Sequence, residues 1–597
     1  MASLSPIATS TTNTTTAISA TPNNPLFSKA SQLSAYKTKP RHVPLKISCN
    51  AAKKDDQQNP NEQHVLDRRN MLLGLGGLYG AAATFGVAPA SLAKPTAPAI
   101  TQCSPDSEEL PANVKVNCCP PMSNNILDFK PSNSSRITRI RPAAHLVDTK
   151  YLEKYHKAIS LMKALPDSDP RSFTQQANVH CAYCNGAYHQ VGFPKIDLQV
   201  HGSWLFFPFH RAYLYFYEKI LGSLINDPTF AIPYWNWDHP DGMTLPAIFA
   251  DPKSTLYDPV RDSVHTPMVA LDLSYDGTDH DVPKDQQIKT NLTVMYRQMV
   301  SNAKNSGLFM GQPYRAGDTG SKPGSLETMP HGPVHIWVGK KTPNREDMGN
   351  FYSAARDPIF YAHHGNVDRM WSVWRTLGPK NKNFKDSDFL DSSFVFYDEN
   401  AKAVRIRVRD VLDTKKLGYE YQPVDLPWLK SRPTPRRAKV KAVFNKVKDA
   451  VAAEPSTMDV PTVAFPKPLD KVIRTHLMRP QKSRTKRAKD DEEEVLVIEV
   501  ESKAHEFSKF DVYVNDEDEY LTKENRVRTE YAGSFVNVPH KHKTGGKEHK
   551  MNTTLRFGLT DLIEDLGADD DEGIDVILVP RVGTESVVIK SVKIELD

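Results

Sequence analysis

Six histidines in this chain stand in two groups of three. His180, His201 and His210 form the first, and His331, His335 and His364 the second. Each group lies in aromatic sequence: HCAYCNGAY and HGSWLFFPFH, then HGPVHIW and DPIFYAHHGNVDR. Imidazole ligates copper, zinc, iron and nickel alike. No Asp or Glu stands at ligand spacing among the six. Non-haem iron usually takes a carboxylate ligand, and catalytic zinc sites often do. Two all-imidazole sites in an aromatic shell therefore point to copper and redox chemistry.

These residues must be held by helices. His331 and His335 are four apart, so a helix puts both on one face. That helix must start near Pro333, because only a first turn tolerates proline. Residues 151–165, Trp204–Leu221 (bearing His210) and Asp357–Trp374 (bearing His364) are also expected to be helical. Four helices pointing histidines inward is the bundle solution to a dinuclear site. His201 falls on a loop.

The segments resemble the copper-binding regions of plant polyphenol oxidases, or catechol oxidases, relatives of tyrosinases and haemocyanins. The resemblance extends through Tyr419 and Tyr421 in KLGYEYQ, DLPWL and KFDV, over essentially the whole chain. It implies two copper ions held by the six histidines. In its DPxFxxHHxxxD pattern the second histidine is the ligand, which assigns His364 and leaves His363 outside the ligand set. It also implies disulfides Cys103–Cys119 and Cys118–Cys181, and a thioether from Cys184 to the His201 ring. Phe351 matches an aromatic gate. Glu327 matches a carboxylate that holds a water, and Gly332 and Ile336 match positions that tune substrate orientation.

The remaining histidines and tryptophans read as ordinary structure. His145, His156, His189, His239, His265 and His280 are expected to be satisfied core residues rather than ligands. His540, His542 and His549, in the lysine-rich HKHKTGGKEHK, are expected on an exposed loop. Trp235, Trp237, Trp371 and Trp374 are expected to pack.

The 597 residues suggest two or three units. The expected fold class is α+β multidomain: a helical-bundle dicopper domain over 94–430, a proteolysed linker over 431–494, and a C-terminal β-sandwich or jelly roll over 495–597. Short β-rich runs such as VLVIEV, FDVYVN and DVILVP support the last. Residues 1–50 are rich in Ser and Thr and free of Asp and Glu, as in a chloroplast transit peptide. Residues 51–93 hold Arg68-Arg69 before an apolar stretch ending in Ala90–Ala93, as in a twin-arginine thylakoid signal. Both together imply the thylakoid lumen, with the twin-arginine machinery and an activating protease as partners.

The net charge of +5 carries no nucleic-acid signature, and no apolar run reaches the roughly 18 residues of a stable membrane span. The expected activity is oxidation of o-diphenols to o-quinones with O2 reduced to water, from a latent precursor, with weak monophenol hydroxylation. A haemocyanin-like O2 carrier and a dedicated flavonoid or chalcone oxidase are the alternatives.

Overall fold

The structure, a computed structural model, describes residues 94–104, 117–131, 138–436, 463–540 and 550–597. The targeting segments, residues 437–462 of the expected linker, and His542 and His549 lie outside these residues.

Five of the helices of the first domain frame the histidines. Helix α1 (Thr149–Ala164) starts where Asp148 Oδ1 accepts the Tyr151 N–H at 2.8 Å. It buries Tyr155, Ala158, Ile159 and Met162, one stripe at helical spacing. Helix α2 (Phe173–Cys184) is capped by Ser172 and carries His180. Helix α3 (Phe206–Leu224) carries His210. Helix α4 (Gly332–Val338) has Pro333 in its first turn, with His331 at its N-cap and His335 within it. Helix α5 (Ile359–Trp374) carries His363 and His364. His201 stands outside any helix.

A buried charge network ties α3 to α5. Asp368, one turn after His364, accepts from Arg211 Nε at 2.5 Å, Arg141 Nη1 at 3.2 Å and Tyr419 Oη at 2.5 Å, and also from Tyr421. Glu218 of α3 accepts from both Arg139 and Arg141. The tyrosines reach Asp368 because the strand Tyr419–Tyr421 pairs in parallel with Arg139–Arg141. Burial raises the Asp368 carboxyl, but the arginines and tyrosines outweigh it and hold the pKa below the usual range. Helices α3 and α5 are thus fixed by charges that are paired rather than solvated.

Residues 463–597 form a sandwich of two antiparallel sheets. Its strands are β1 (Lys467–Pro468), β2 (Ile473–Met478), β3 (Glu494–Lys503), β4 (Ser508–Val514), β5 (Tyr531–Asn537), β6 (Lys550–Gly558), β7 (Gly573–Val582) and β8 (Val588–Leu596). The sheet orders are β6-β3-β8-β1 and β5-β4-β7-β2. Leu496, Ile498 and Val500 of β3 face Phe510, Val512 and Val514 of β4 in a core of their own. The expected linker therefore runs too far. Residues 463–494 supply β1, β2 and a short helix, Lys486–Asp491. Both strands are sheet edges, where polar residues are tolerated and hydrophobic alternation is weak.

Alternation along β4 turns Lys509 and Asp511 to the other face, yet both are fully buried. Asp511 accepts from Arg526, Arg581 and Ser534, and Arg526 Nη1 donates to the Ser274 carbonyl at 3.1 Å. Asn302 adds two contacts, to the Ala532 carbonyl and the Gly558 N–H. The sandwich is therefore docked on the helical domain through hydrogen bonds and charge together with apolar contacts such as Leu308 against Val495 and Val497.

Candidate metal centre

Four of the six histidines share one local device. Their Nδ1–H groups donate to backbone carbonyls: His180 to Phe351, His210 to Phe206, His331 to Glu327 and His335 to Met348, at 3.1, 2.8, 3.0 and 2.7 Å. Each such bond fixes the tautomer and leaves Nε2 as a bare lone pair. The Nε2 atoms of His180, His210 and His331, and both ring nitrogens of His201, are buried without a hydrogen-bond partner. His335 Nε2 faces His364 Nε2 at 3.3 Å. A buried polar atom left unpaired costs about 1–3 kcal/mol. Five such atoms together exceed what an ordinary core tolerates, and bound cations would satisfy them.

Two sets are formed. The ligating atoms of His180, His201, His210 and Cys184 lie within 4.8 Å of one another, as do those of His331, His335, His363 and His364. The sets adjoin: the His210 and His364 rings stack at 4.1 Å between centroids, and His201 and His331 lie 5.7 Å apart. Burial pulls His210 down to about 3 and His335 to about 4, and the other four well below the ordinary imidazole value. All six are therefore neutral donors across physiological pH. The set fits copper, and it contains no carboxylate.

His363 differs from its neighbour. Its Nδ1 accepts the Trp237 indole N–H at 3.2 Å. Indole only donates, so neutral His363 carries its proton on Nε2 and has no lone pair there. Its ring contacts His331 and His335 but none of the first set, whereas His364 contacts both sets. Trp237, expected only to pack, thus sets a tautomer. Trp371 and Trp374 do pack, against Phe207 and Phe309.

Cys103 is bonded to Cys119, and Cys118 to Cys181, which anchors residues 117–119 beside His180 on α2. Cys184 is free and buried.

A cavity of about 60 Å3 lies above the histidines, lined by His201, Glu327, His331, Gly332 and Phe351. Ligand pockets usually measure about 300–1,000 Å3, so no phenol fits as it stands. Glu327 Oε1 accepts the Gly202 N–H at 2.5 Å, while Oε2 has no partner. Burial pushes this carboxyl up to about 8. Ile336 is fully buried but does not line the cavity.

The cavity is closed from the β-sandwich. Val536, Val538 and His540 line it, and the Pro539 carbonyl accepts the Phe351 N–H at 3.1 Å. Phe351 is sandwiched between His201, at 4.2 Å, and His540, at 5.0 Å. A Cβ added at Gly332 would meet Val536 Cγ1 at 3.1 Å. His540 was expected on an exposed loop, but it is buried. The apolar alternation of β5 runs through Val536 to Val538, just beyond the strand, a signal that the lysines after it obscure.

Residues 170–377 match the common central domain of tyrosinase, 383–434 the polyphenol oxidase middle domain, and 465–596 the chloroplastic polyphenol oxidase C-terminal domain. The chain is 56% identical to a chloroplastic polyphenol oxidase of Malus domestica, covering 100% of both chains. It is 51% identical to the chloroplastic (+)-larreatricin hydroxylase of Larrea tridentata, over 94% of this chain and 96% of the relative. The structure of latent apple tyrosinase aligns with a TM-score of 0.73 at 57% identity, covering 79% of this chain and 100% of that one. With its central, middle and C-terminal domains all matched, the chain belongs to the plant polyphenol oxidase family.

Proposed function

We propose that this protein oxidises o-diphenols to o-quinones, two catechols per O2 with two waters formed, and that it is made in a latent form. The converging bare Nε2 lone pairs of two adjoining histidine sets carry this reading. His180, His201 and His210 would hold one copper, and His331, His335 and His364 the other. Bound there, two coppers supply the two-electron chemistry that couples catechol oxidation to O2 reduction.

The chain's own residues do the rest. Neutral imidazoles leave the centre cationic, which favours a phenolate oxygen over a neutral phenol. Phe351 offers a ring face at the entrance. Glu327 Oε2 holds a water where a phenolic proton can leave. A thioether from buried Cys184 would fix the ring of His201, the one ligand outside a helix. The aromatic shell excludes bulk water from the reacting oxygens.

Activation follows from the closure. The segment Val536–His540 must leave before a phenol enters. Flanking chain is tied into the fold, by the Thr434–Arg528 bridge on one side and the Val463 N–H to Thr475 on the other. An activating protease would therefore act within residues 437–462. The transit-like and twin-arginine sequences support plastid import and transfer to the thylakoid lumen, and relatives carry chloroplastic names. No helix among the described residues is long and apolar enough to cross a membrane.

A dedicated hydroxylase is the second reading, favoured by the name of the Larrea relative. Copper-loaded protein cut in the linker should accumulate quinone from catechol under O2. Two coppers per chain without quinone would indicate an oxygen carrier. Turnover of a single elaborate phenol, with simple catechols ignored, would favour the dedicated enzyme.

A further inference from the structure

A second cavity, of about 1010 Å3, opens beside the closing segment. One wall belongs to the catalytic domain and includes Arg345, Asn350 and Tyr352. The other includes Glu506, Phe507 and His540 of the sandwich.

Arg345 is the unusual group in it. Its Nη1 is buried and has no hydrogen-bond partner among the described residues. Burial lowers its pKa, and Tyr275 and Asp262 oppose that only in part. What covers the guanidinium is the Phe507 ring, with its centroid 4.4 Å away. Arginine presents a planar fork of donors that matches a carboxylate, and an aromatic face satisfies none of those N–H groups.

The residue is also held rigidly. Arg345 sits at φ 61°, a conformation that costs a non-glycine residue free energy and persists only where its surroundings impose it. Its carbonyl accepts the Gly349 N–H at 2.8 Å. Neither Gly339 nor Gly349 has room for a Cβ, which would stand 2.3 and 2.6 Å from the Arg345 carbonyl oxygen. The same short loop carries Phe351 at the entrance. A strained, fixed cation thus lines a cavity that shares His540 with the one over the histidines, and it is covered by a side chain that leaves with the sandwich.

We propose that Arg345 is a carboxylate-binding subsite at the rim of the catalytic entrance, selecting catechols with an anionic side chain once Phe507 is withdrawn. The proposal rests on the oxidase reading above. In the intact chain the sandwich closes two places at once: Val536–His540 over the histidines and Phe507 over Arg345.

The test uses copper-loaded enzyme cut in the linker, with dihydrocaffeic acid and its methyl ester, which share one catechol ring and differ in charge. The kcat/KM ratio of acid to ester should fall about tenfold in Arg345→Gln, chiefly through KM, with partial recovery in Arg345→Lys. Added salt should lower the ratio in the wild type. An unchanged ratio in Arg345→Gln, or equal losses on both substrates, would overturn the proposal in favour of a purely structural arginine. If Arg345→Gln does not fold, Arg345→Lys and the salt dependence decide: a ratio insensitive to both overturns it. Wild-type enzyme that oxidises neither substrate would instead remove the oxidase reading, and this proposal with it.

Discussion

The His540 imidazole stacks on the Phe351 ring, 5.0 Å between centroids and 27° from parallel, and so joins the β-sandwich to the mouth of the histidine site. Phe351 in turn stacks on His201. One aromatic column therefore runs from the sandwich to a histidine of the first set. An aromatic pair contributes about 0.5–1.5 kcal/mol beyond its buried area. His540→Ala in the intact protein should shift the closed state by that amount and raise catechol oxidation about two- to tenfold. The same substitution should have no effect after the sandwich has been removed.

Acid should open the same contact. Burial holds His540 at about 4, below the roughly 6.5 of a solvated imidazole. The undocked segment thus binds a proton between these values that the docked one refuses. Docking is strongest above pH about 6.5 and weakens as pH falls toward 4, by up to about 3 kcal/mol. The ratio of intact to cleaved activity should climb reversibly over that window. In His540→Gln the climb should flatten, and an unaltered climb would place the switch elsewhere.

His363 and His364 should separate by metal content. His364→Gln should leave about one copper per chain, whereas His363→Gln should retain two. Trp237→Phe removes the donor that fixes the His363 tautomer, and should broaden the copper spectroscopic signature without loss of metal. Retention of two coppers in His364→Gln, with loss in His363→Gln, would reverse the assignment.

The Asp368 network predicts a stability effect. Asp368→Asn leaves Arg141 and Arg211 buried with reduced compensation, and breaking a buried pair costs about 3–5 kcal/mol. The melting temperature should fall by several degrees, and copper retention should fall with it because α3 and α5 carry His210 and His364. A variant as stable as the wild type would mean the charges are dispensable.

Gly332 bears on substrate type. Removing a phenolic proton near pKa ~10 needs a base or an oriented water. Glycine has no side chain to orient a water bound at Glu327, as proposed above, so strong diphenolase and weak monophenolase activity are expected. Gly332→Asn should raise the monophenol-to-diphenol rate ratio in cleaved enzyme. In the intact chain the new side chain would also press on Val536, so the variant should be less latent. Equal wild-type rates on a matched phenol and catechol would contradict this.

Much of this was legible in sequence because ligand chemistry constrains spacing. An HxxxH pair with proline between must sit on a first helical turn, and α4 does. Tyr419 and Tyr421 could be singled out, but their role at Asp368 depends on a parallel strand pair 280 residues apart at Arg141 and Tyr421. Strands β1 and β2 were hidden because edge strands need little apolar alternation. The burial of His540 is hidden for a related reason: local lysines outweigh a packing partner supplied by Phe351, far away in the chain. Trp237 and Arg345 are ordinary residues in sequence, and only the tautomer of one and the unmatched donor of the other reveal what they do.

The most direct test of the account is the rate of catechol oxidation by one copper-loaded preparation, before and after a single cut within residues 437–462 and separation of the sandwich. With copper constant at two per chain, the rate should rise at least tenfold, since the 60 Å3 cavity admits no phenol until Val536–His540 withdraws. Equal rates before and after, at constant copper, would contradict it.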